Sequence, residues 1–319
     1  MQNVGPVINR EQPVVIFSKM TSGLSAHPQA SNGGVNRRAR LDLERALSTA
    51  MRAAHSAGDL IRRQLASHKR ATAMTQHDIK LELDLRCQRL IERVLRSAFP
   101  EVGSLGEEGV AGDPNTEHRW VVDPIDGTVN FAYRIPHSCV SIALQSRSIA
   151  GAIKSRRPAP YPGGYQTLVG VIYDPFRDEL WTAIAGRTAR LNGKVIRVSR
   201  RRKLEESIIA IGLSKSREHL EATLPFLNKL ALRVRKLRIM GAGALDLAYV
   251  AAGRFDAYIE RYIRLWDIAA GGLILECAGG EVWREPIPGD YAFRMIASNK
   301  RLKQQLAGIE ELHPFQMHD

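Results

Sequence analysis

An apolar run, Trp120-Val121-Val122, ends in two aspartates three residues apart, Asp123 and Asp126, with Gly127-Thr128 directly behind them. A run of this composition reads as a buried strand, and a carboxylate at the end of a buried strand is costly unless it is paired or bound to a cation. The fold must therefore bring compensating groups to that point. Two other acidic segments fit the same place: Gly106-Glu107-Glu108-Gly109 upstream, and Trp266-Asp267 downstream, which follows Ile263-Arg264-Leu265. None of these segments carries a thiol or an imidazole, and oxygen-only ligation favours Mg²⁺ or Mn²⁺. Read singly, each is ordinary: Asp-Pro-x-Asp-Gly makes a turn, Glu-Glu between glycines a polar turn, Trp-Asp a helix cap. Together they describe a site for a hard cation, with the N–H groups after Gly127 turned toward an anion.

At 319 residues the chain can bury one large core or two smaller ones. It has no run of about 18 apolar residues, so no membrane span and no membrane partner is expected. Cys87, Cys139 and Cys277 are widely separated and form no CxxC pair. They read as buried thiols of a reducing, cytoplasmic setting, not as a disulfide framework or zinc site. The histidines show no H-x-x-H or H-E-x-x-H spacing, which argues against a zinc hydrolase. The net charge of +13 comes from separate bursts at Arg37–Arg40, Arg156–Arg157, Arg200–Lys203 and Arg233–Arg238. A solvated basic surface explains it first, steering of an anionic substrate second, and nucleic acid last, since aromatic residues are scarce among these cations.

Residues 1–40 are rich in Gly, Ser, Asn, Pro and Gln, with Glu11 their one acidic residue. They read as a disordered extension, with an organellar presequence as the alternative. From Leu41 the pattern turns helical: Leu43, Leu47, Ala50, Met51, Ala54 and Leu60-Ile61 predict an amphipathic helix to about Leu65. A second helix is predicted over Leu85–Ala98, closed by Pro100. Strands follow at Trp120–Val122, Val140–Leu144, Leu168–Tyr173 and Glu179–Ile184, with Asn192-Gly193 as a hairpin turn before Val195–Val198. Lys154–Gly164 reads as an exposed basic loop. Beyond Glu205 the elements alternate: strand Ser207–Leu213, helix Glu218–Leu232, strand Arg235–Met240, helix Ala244–Ala252, strand Phe255–Glu260 and helix Ile268–Cys277. Short strands at Glu281–Trp283 and Met295–Ala297 precede a last helix from Lys300. The pattern calls for an α+β protein of stacked helix and sheet layers.

Asp123-Pro124-Ile125-Asp126-Gly127-Thr128-Val129-Asn130-Phe131 resembles the first signature of the inositol monophosphatase family. Trp266-Asp267-Ile268-Ala269-Ala270-Gly271 resembles the second, and Gly106-Glu107-Glu108 resembles its upstream acidic loop. The similarity runs from about Leu41 to Glu310, so one phosphatase domain over 41–319 is expected. The resemblance implies a layered α-β-α-β-α sandwich and a Mg²⁺-dependent phosphomonoesterase that uses two-metal activation of water. It implies two or three Mg²⁺, with Mn²⁺ as a substitute: Glu107, Asp123 and the Ile125 carbonyl hold one ion, and Asp123, Asp126 and Asp267 a second. It selects Glu107 over Glu108, which the pair itself does not distinguish.

The same resemblance gives Thr128 the attacking water, linked to an acidic partner at Asp84, and gives the phosphate to the N–H groups of Gly127 and Thr128. The substrate side falls to Gly241-Ala242-Gly243, to Glu260 and again to Asp126. A small phosphorylated metabolite is the implied partner, and a homodimer and lithium sensitivity are implied family traits. The approach Asp78–Asp84 replaces the family's usual small, Thr-containing segment, and Gly-Ala-Gly stands where inositol phosphatases read Gly-Thr-Ala. Val129-Asn130-Phe131 takes the place of the Lys-Glu usual in nucleotide bisphosphatases and favours an inositol phosphate or another small polyol phosphate. Histidinol-phosphate, fructose-1,6-bisphosphate and nucleotide 3′-phosphate phosphatases are the alternatives. A regulatory protein that engages RNA or the transcription machinery is an alternative of another class.

Overall fold

In the computed structural model, which describes residues 41–67, 70–75, 79–147, 161–213 and 217–309, helix α1 (Leu43–Gln64) opens at Asp42, whose carboxylate accepts the Arg45 N–H at 3.0 Å. The extension at 1–40, Asp78 and residues 154–160 of the basic loop lie outside the described residues. Of the apolar residues whose spacing predicts this helix, α1 buries Ala50, Ala54 and Ile61 and keeps the longer side chains at the edge of that face. Leu43, Leu47 and Met51 are half-buried at the edge, while Ala46, Ala50, Ala53, Ala54, Ala57 and Ile61 are inside. Small residues let the helix approach the sheet closely: a Cβ added to Gly58 would fall 2.5 Å from the Tyr173 ring.

Strands β1 (Ala71–Met74) and β2 (Ile79–Leu81) form a ribbon that the sequence pattern did not reveal. Helix α2 (Glu82–Ala98) starts before the predicted Leu85, because Asp84 works inside its first turn and accepts the Leu81 N–H at 2.8 Å. Then come β3 (Ser104–Gly106), β4 (Gly109–Ala111), β5 (His118–Asp126), the short helix α3 (Thr128–Ala132), β6 (Cys139–Ser146), β7 (Gln166–Asp174), β8 (Glu179–Ile184), β9 (Arg190–Leu191) and β10 (Lys194–Val195). These strands make a sheet in the order β10-β9-β8-β7-β6-β5-β3-β4, antiparallel except for the β3–β5 pair. Asn192 and Gly193, both at positive φ, make the β9–β10 turn as predicted.

The second sheet takes β11 (Ile208–Ile211), helix α4 (Arg217–Ala231), β12 (Lys236–Arg238), helix α5 (Gly243–Ala251), β13 (Ala257–Arg264), helix α6 (Leu265–Cys277), β14 (Glu281–Pro286), β15 (Ala292–Ser298) and helix α7 (Lys303–Ala307). Its order is β12-β11-β13-β15-β14. β11 and β12 are shorter than predicted, while β13, β14 and β15 are longer. Helix α6 begins earlier than Ile268 because β13 runs straight into it.

Helices α1 and α2 cover one face of the large sheet, and α5 with α6 covers the other. A Cβ on Gly170 of β7 would sit 2.8 Å from the Ala270 carbonyl of α6, so glycine is what admits that helix. Helices α5 and α6 also contact β13 and β15, so they form a middle layer shared by both sheets. Phe226 and Leu230 of α4 and Leu306 of α7 join Ile209, Ile211 and Ile259 in a core on the far side of the small sheet. The result is the α-β-α-β-α stack. Among the described residues no helix is long and apolar enough to cross a membrane.

Candidate active site

In a regular strand, residues three apart point to opposite faces, so Asp123 and Asp126 should diverge. They converge because β5 carries a bulge between them. Asp123 pairs with Ser141 and Asp126 with Cys139, so Pro124 and Ile125 together face Val140 alone. The extra residue shifts the pleat by one, and Pro124, which has no N–H to offer the ladder, sits inside the irregular step. The Ile125 N–H donates to Asp123 Oδ1 at 3.0 Å and holds the bulge closed.

The other carboxylates arrive by separate routes. Parallel pairing of Gly106 with Val122 sets Glu107 beside Asp123, and the Glu107 N–H donates to the Val122 carbonyl at 3.1 Å. Glu108 turns the other way and pairs with Lys80 at 2.9 Å, so of the two glutamates only Glu107 lines the cavity. Asp267 lies in the first turn of α6, where its carboxylate accepts the Arg264 N–H at 3.0 Å. Ser141 of β6 donates to the Trp266 carbonyl at 3.1 Å and ties that turn to the large sheet.

Oxygens of Asp123, Asp126 and Asp267 lie within 4.8 Å of one another. Burial, and then the carboxylates of Glu107, Asp126 and Asp267, push the Asp123 carboxyl well above the usual range. Burial and Asp267 push Asp126 up to about 7. Among the described residues, no Lys or Arg lines this cavity. A buried, mutually repelling set of oxygen donors without a cationic side chain fits a hard divalent metal ion, the group that would relieve the repulsion.

Asp126 also reaches across the molecule. It accepts the Gly243 N–H at 3.2 Å and the Ala244 N–H at 2.8 Å, capping α5, and it accepts the Cys139 thiol at 3.6 Å. Gly241-Ala242-Gly243 is thereby held against the acidic cluster. Asn130 of α3 donates to the Met240 carbonyl at 2.8 Å and the His137 carbonyl at 3.0 Å, fixing the turn that precedes Gly241.

Gly127, at φ 87°, caps the start of α3, where an L side chain would be strained and would crowd the His137 carbonyl. The Thr128 hydroxyl stands 2.8 Å from the Ile125 carbonyl and 3.2 Å from Asp84 Oδ1. Asp84 is 1% exposed, and burial, reinforced by the charge of Glu108, pushes its carboxyl up to about 7. The structure thus brings Glu107, Asp123, Ile125, Asp126, Gly127, Thr128, Gly241, Ala242, Gly243, Glu260 and Asp267 to one cavity, with Asp84 behind Thr128.

Comparison with known proteins places the chain in a family. The model of the inositol monophosphatase family matches residues 42–155 and 164–309, nearly all of the chain outside the N-terminal extension and the basic loop.

The chain belongs to the inositol monophosphatase family, a family of phosphomonoester hydrolases.

Inositol monophosphatase 1 of Solanum lycopersicum is 37% identical over 283 residues, covering 86% of this chain and 97% of that protein. Nus factor SuhB of Escherichia coli is also 37% identical, over 274 residues, covering 83% and 96%. Among solved structures, the extragenic suppressor protein suhB of Bartonella henselae superposes with a TM-score of 0.71 at 34% identity, covering 82% of this chain and 96% of that one. The inositol monophosphatase of Anabaena gives 0.69 at 31% identity, covering 85% and 96%.

Several residues in or behind the cavity of this family member gave no signal in the sequence. Asp246, in an otherwise apolar turn of α5, is 1% exposed and lines the cavity, and its Oδ1 has no hydrogen-bond partner among the described residues. Burial, with Asp126 and Glu260 nearby, pushes its carboxyl well above the usual range. Cys139 read only as a buried thiol, and Gly212 as part of a strand. Asn130 read only as part of a motif. Their roles depend on partners distant in sequence, which no local spacing announces.

Proposed function

We propose that this protein is a Mg²⁺-dependent phosphomonoesterase acting on a small polyol phosphate, inositol 1-phosphate first among them. The observation that carries the reading is the convergence of Asp123, Asp126 and Asp267 within 4.8 Å, with Glu107 on the same cavity. In this reading Glu107, Asp123 and the Ile125 carbonyl would hold one Mg²⁺, and Asp123, Asp126 and Asp267 would hold a second. Glu107 would also serve a weaker third, and Mn²⁺ would substitute. When bound, the ions supply Lewis acidity to the phosphate and to the attacking water.

The chain's own groups do the rest. The Gly127 and Thr128 N–H groups bind phosphate oxygens. Thr128 Oγ1 orients the water, and Asp84 Oδ1 receives its proton through that hydroxyl; a carboxyl near 7 suits an acceptor working at neutral pH. Gly241–Gly243 and Glu260 hold the alcohol. Asp126, which already bonds the loop that carries Gly243, links the metal side to the substrate side.

The test is phosphate release from a panel of inositol, sugar, histidinol and nucleotide phosphates, with Mg²⁺ and with EDTA. Mg²⁺-dependent release that is strongest on a polyol phosphate is expected. No release from any member would end the proposal.

A second reading draws on relatives named Nus factor and on one face of α2. Arg86, Arg89, Arg93 and Arg96 project from it at helical spacing, all exposed. That stripe supports contact with a nucleic-acid backbone. Titration of a structured RNA at several salt concentrations tests it; weak binding without a steep salt slope would remove it.

A further inference from the structure

One wall of the cavity is built around Glu260. Tyr258 and Glu260, two apart on β13, share a face, and a second bulge follows directly. Glu260 pairs with Met295 and Ile263 with Phe293, so Arg261 and Tyr262 face Arg294 alone. The shifted pleat returns Ile263 to the cavity beside Tyr258 and Glu260. Tyr258 is completely buried and donates its hydroxyl to Glu260 Oε2.

On the neighbouring strand, Gly212 follows the end of β11 and donates its N–H to the Ile259 carbonyl at 3.0 Å. That bond presses its α-carbon against Glu260. A Cβ there would overlap the carboxylate and stand 2.7 Å from Cγ. Behind the phenol, a Cβ on Gly243 would stand 2.9 Å from the Tyr258 oxygen. The carboxylate occupies space that a missing side chain leaves, and one of its oxygens is fixed by a phenol that solvent does not reach.

We infer that Tyr258 and Gly212 are positioning residues that set the Glu260 carboxylate, and so determine which arrangement of hydroxyls on the leaving alcohol is accepted. This assignment rests on the phosphomonoesterase reading above. A carboxylate recognises a hydroxyl only in the direction its lone pairs face, and a carboxylate on a free side chain loses that selectivity. Tyr258→Phe removes the fixing bond and keeps the ring; Gly212→Ala moves the carboxylate and keeps the bond's donor.

Steady-state kinetics of the wild type, Tyr258→Phe, Gly212→Ala, Glu260→Gln and the Tyr258→Phe/Glu260→Gln double variant test the assignment. The two substrates are the polyol phosphate that the wild type prefers and p-nitrophenyl phosphate, whose leaving group carries no ring hydroxyl beside the ester. Tyr258→Phe and Gly212→Ala are expected to raise KM for the polyol phosphate about tenfold with a much smaller change in kcat. KM for p-nitrophenyl phosphate should move far less. Tyr258→Phe should add little to Glu260→Gln, because both act through one carboxylate. Equal effects on both substrates, an unchanged polyol KM, or additive effects in the double variant would overturn the assignment. A wild type inactive on both substrates would instead overturn the phosphomonoesterase reading.

Discussion

The Thr128 hydroxyl has one hydrogen and two acceptors in reach, Asp84 Oδ1 at 3.2 Å and the Ile125 carbonyl at 2.8 Å. Only one can receive it, so the state of Asp84 decides how the hydroxyl is turned. Asp84→Asn keeps an oxygen for the Leu81 N–H but cannot accept a proton. It should lower kcat by roughly 10²- to 10⁴-fold. Calorimetric Mg²⁺ binding should be little altered. A kcat near wild type would remove Asp84 from the chemistry.

Asp84 also makes stability depend on pH. Its carboxyl, near 7 when folded and 3.8 ordinarily, is protonated in the folded chain but ionised in the unfolded chain across that interval. The unfolded state then binds fewer protons, so the stability Asp84 contributes is complete below about 4 and is lost as pH rises through about 7. In EDTA, the melting temperature of Asp84→Asn should therefore rise relative to wild type between pH 4.5 and 7.5. A constant difference across that range would show that the group titrates normally.

Asp123 gives the sharper contrast. Asp123→Asn removes one carboxylate from a buried set that repels itself. Without metal, the variant should melt at a higher temperature than wild type at pH 7.5, although turnover is abolished. Adding Mg²⁺ should stabilise the wild type and hardly affect the variant. Scanning fluorimetry with and without EDTA measures both, and a variant destabilised in EDTA would contradict the repulsion described.

The Cys139 thiol bonds Asp126 from completely buried surroundings. Cys139→Ala should weaken Mg²⁺ binding by up to about tenfold, the low end for groups that orient a metal ligand. Cys139→Ser retains a donor and should lose less. Equal losses in the two variants would mean that packing, not the bond, is responsible.

Gly170→Ala would press a methyl against the Ala270 carbonyl. A loss of ~1–3 kcal/mol in urea unfolding is expected.

The acidic half of the site was legible because Asp123, Asp126 and Asp267 stand beside apolar runs, where a carboxylate has no cheap solitary explanation. Strand and helix order was legible for the same reason of periodicity. The sequence did not reveal how residues three apart could share a site, since a bulge is visible only once the partner strand is in register. In α1 the periodicity picked out Ala50, Ala54 and Ile61 as inside, while close packing keeps Leu43, Leu47 and Met51 at the edge. The Glu107-Glu108 pair itself does not say which faces the cavity; the Lys80 ion pair, made by a residue far upstream, holds Glu108 away while Glu107 lines it. Gly212 and Tyr258 escaped notice because each matters for what it does to a third residue.

The middle layer has a consequence for the chain as a whole. Because α5 and α6 serve as the inner wall of both sheets, a cut between β10 and β11 would strip the large sheet of that wall, and a cut between β11 and β14 would also divide the small sheet. The protein should melt in one step and resist division into separately expressed halves. Insertions between β6 and β7 are tolerable, since the family's pattern is already interrupted there, but insertions within α5 or α6 are not.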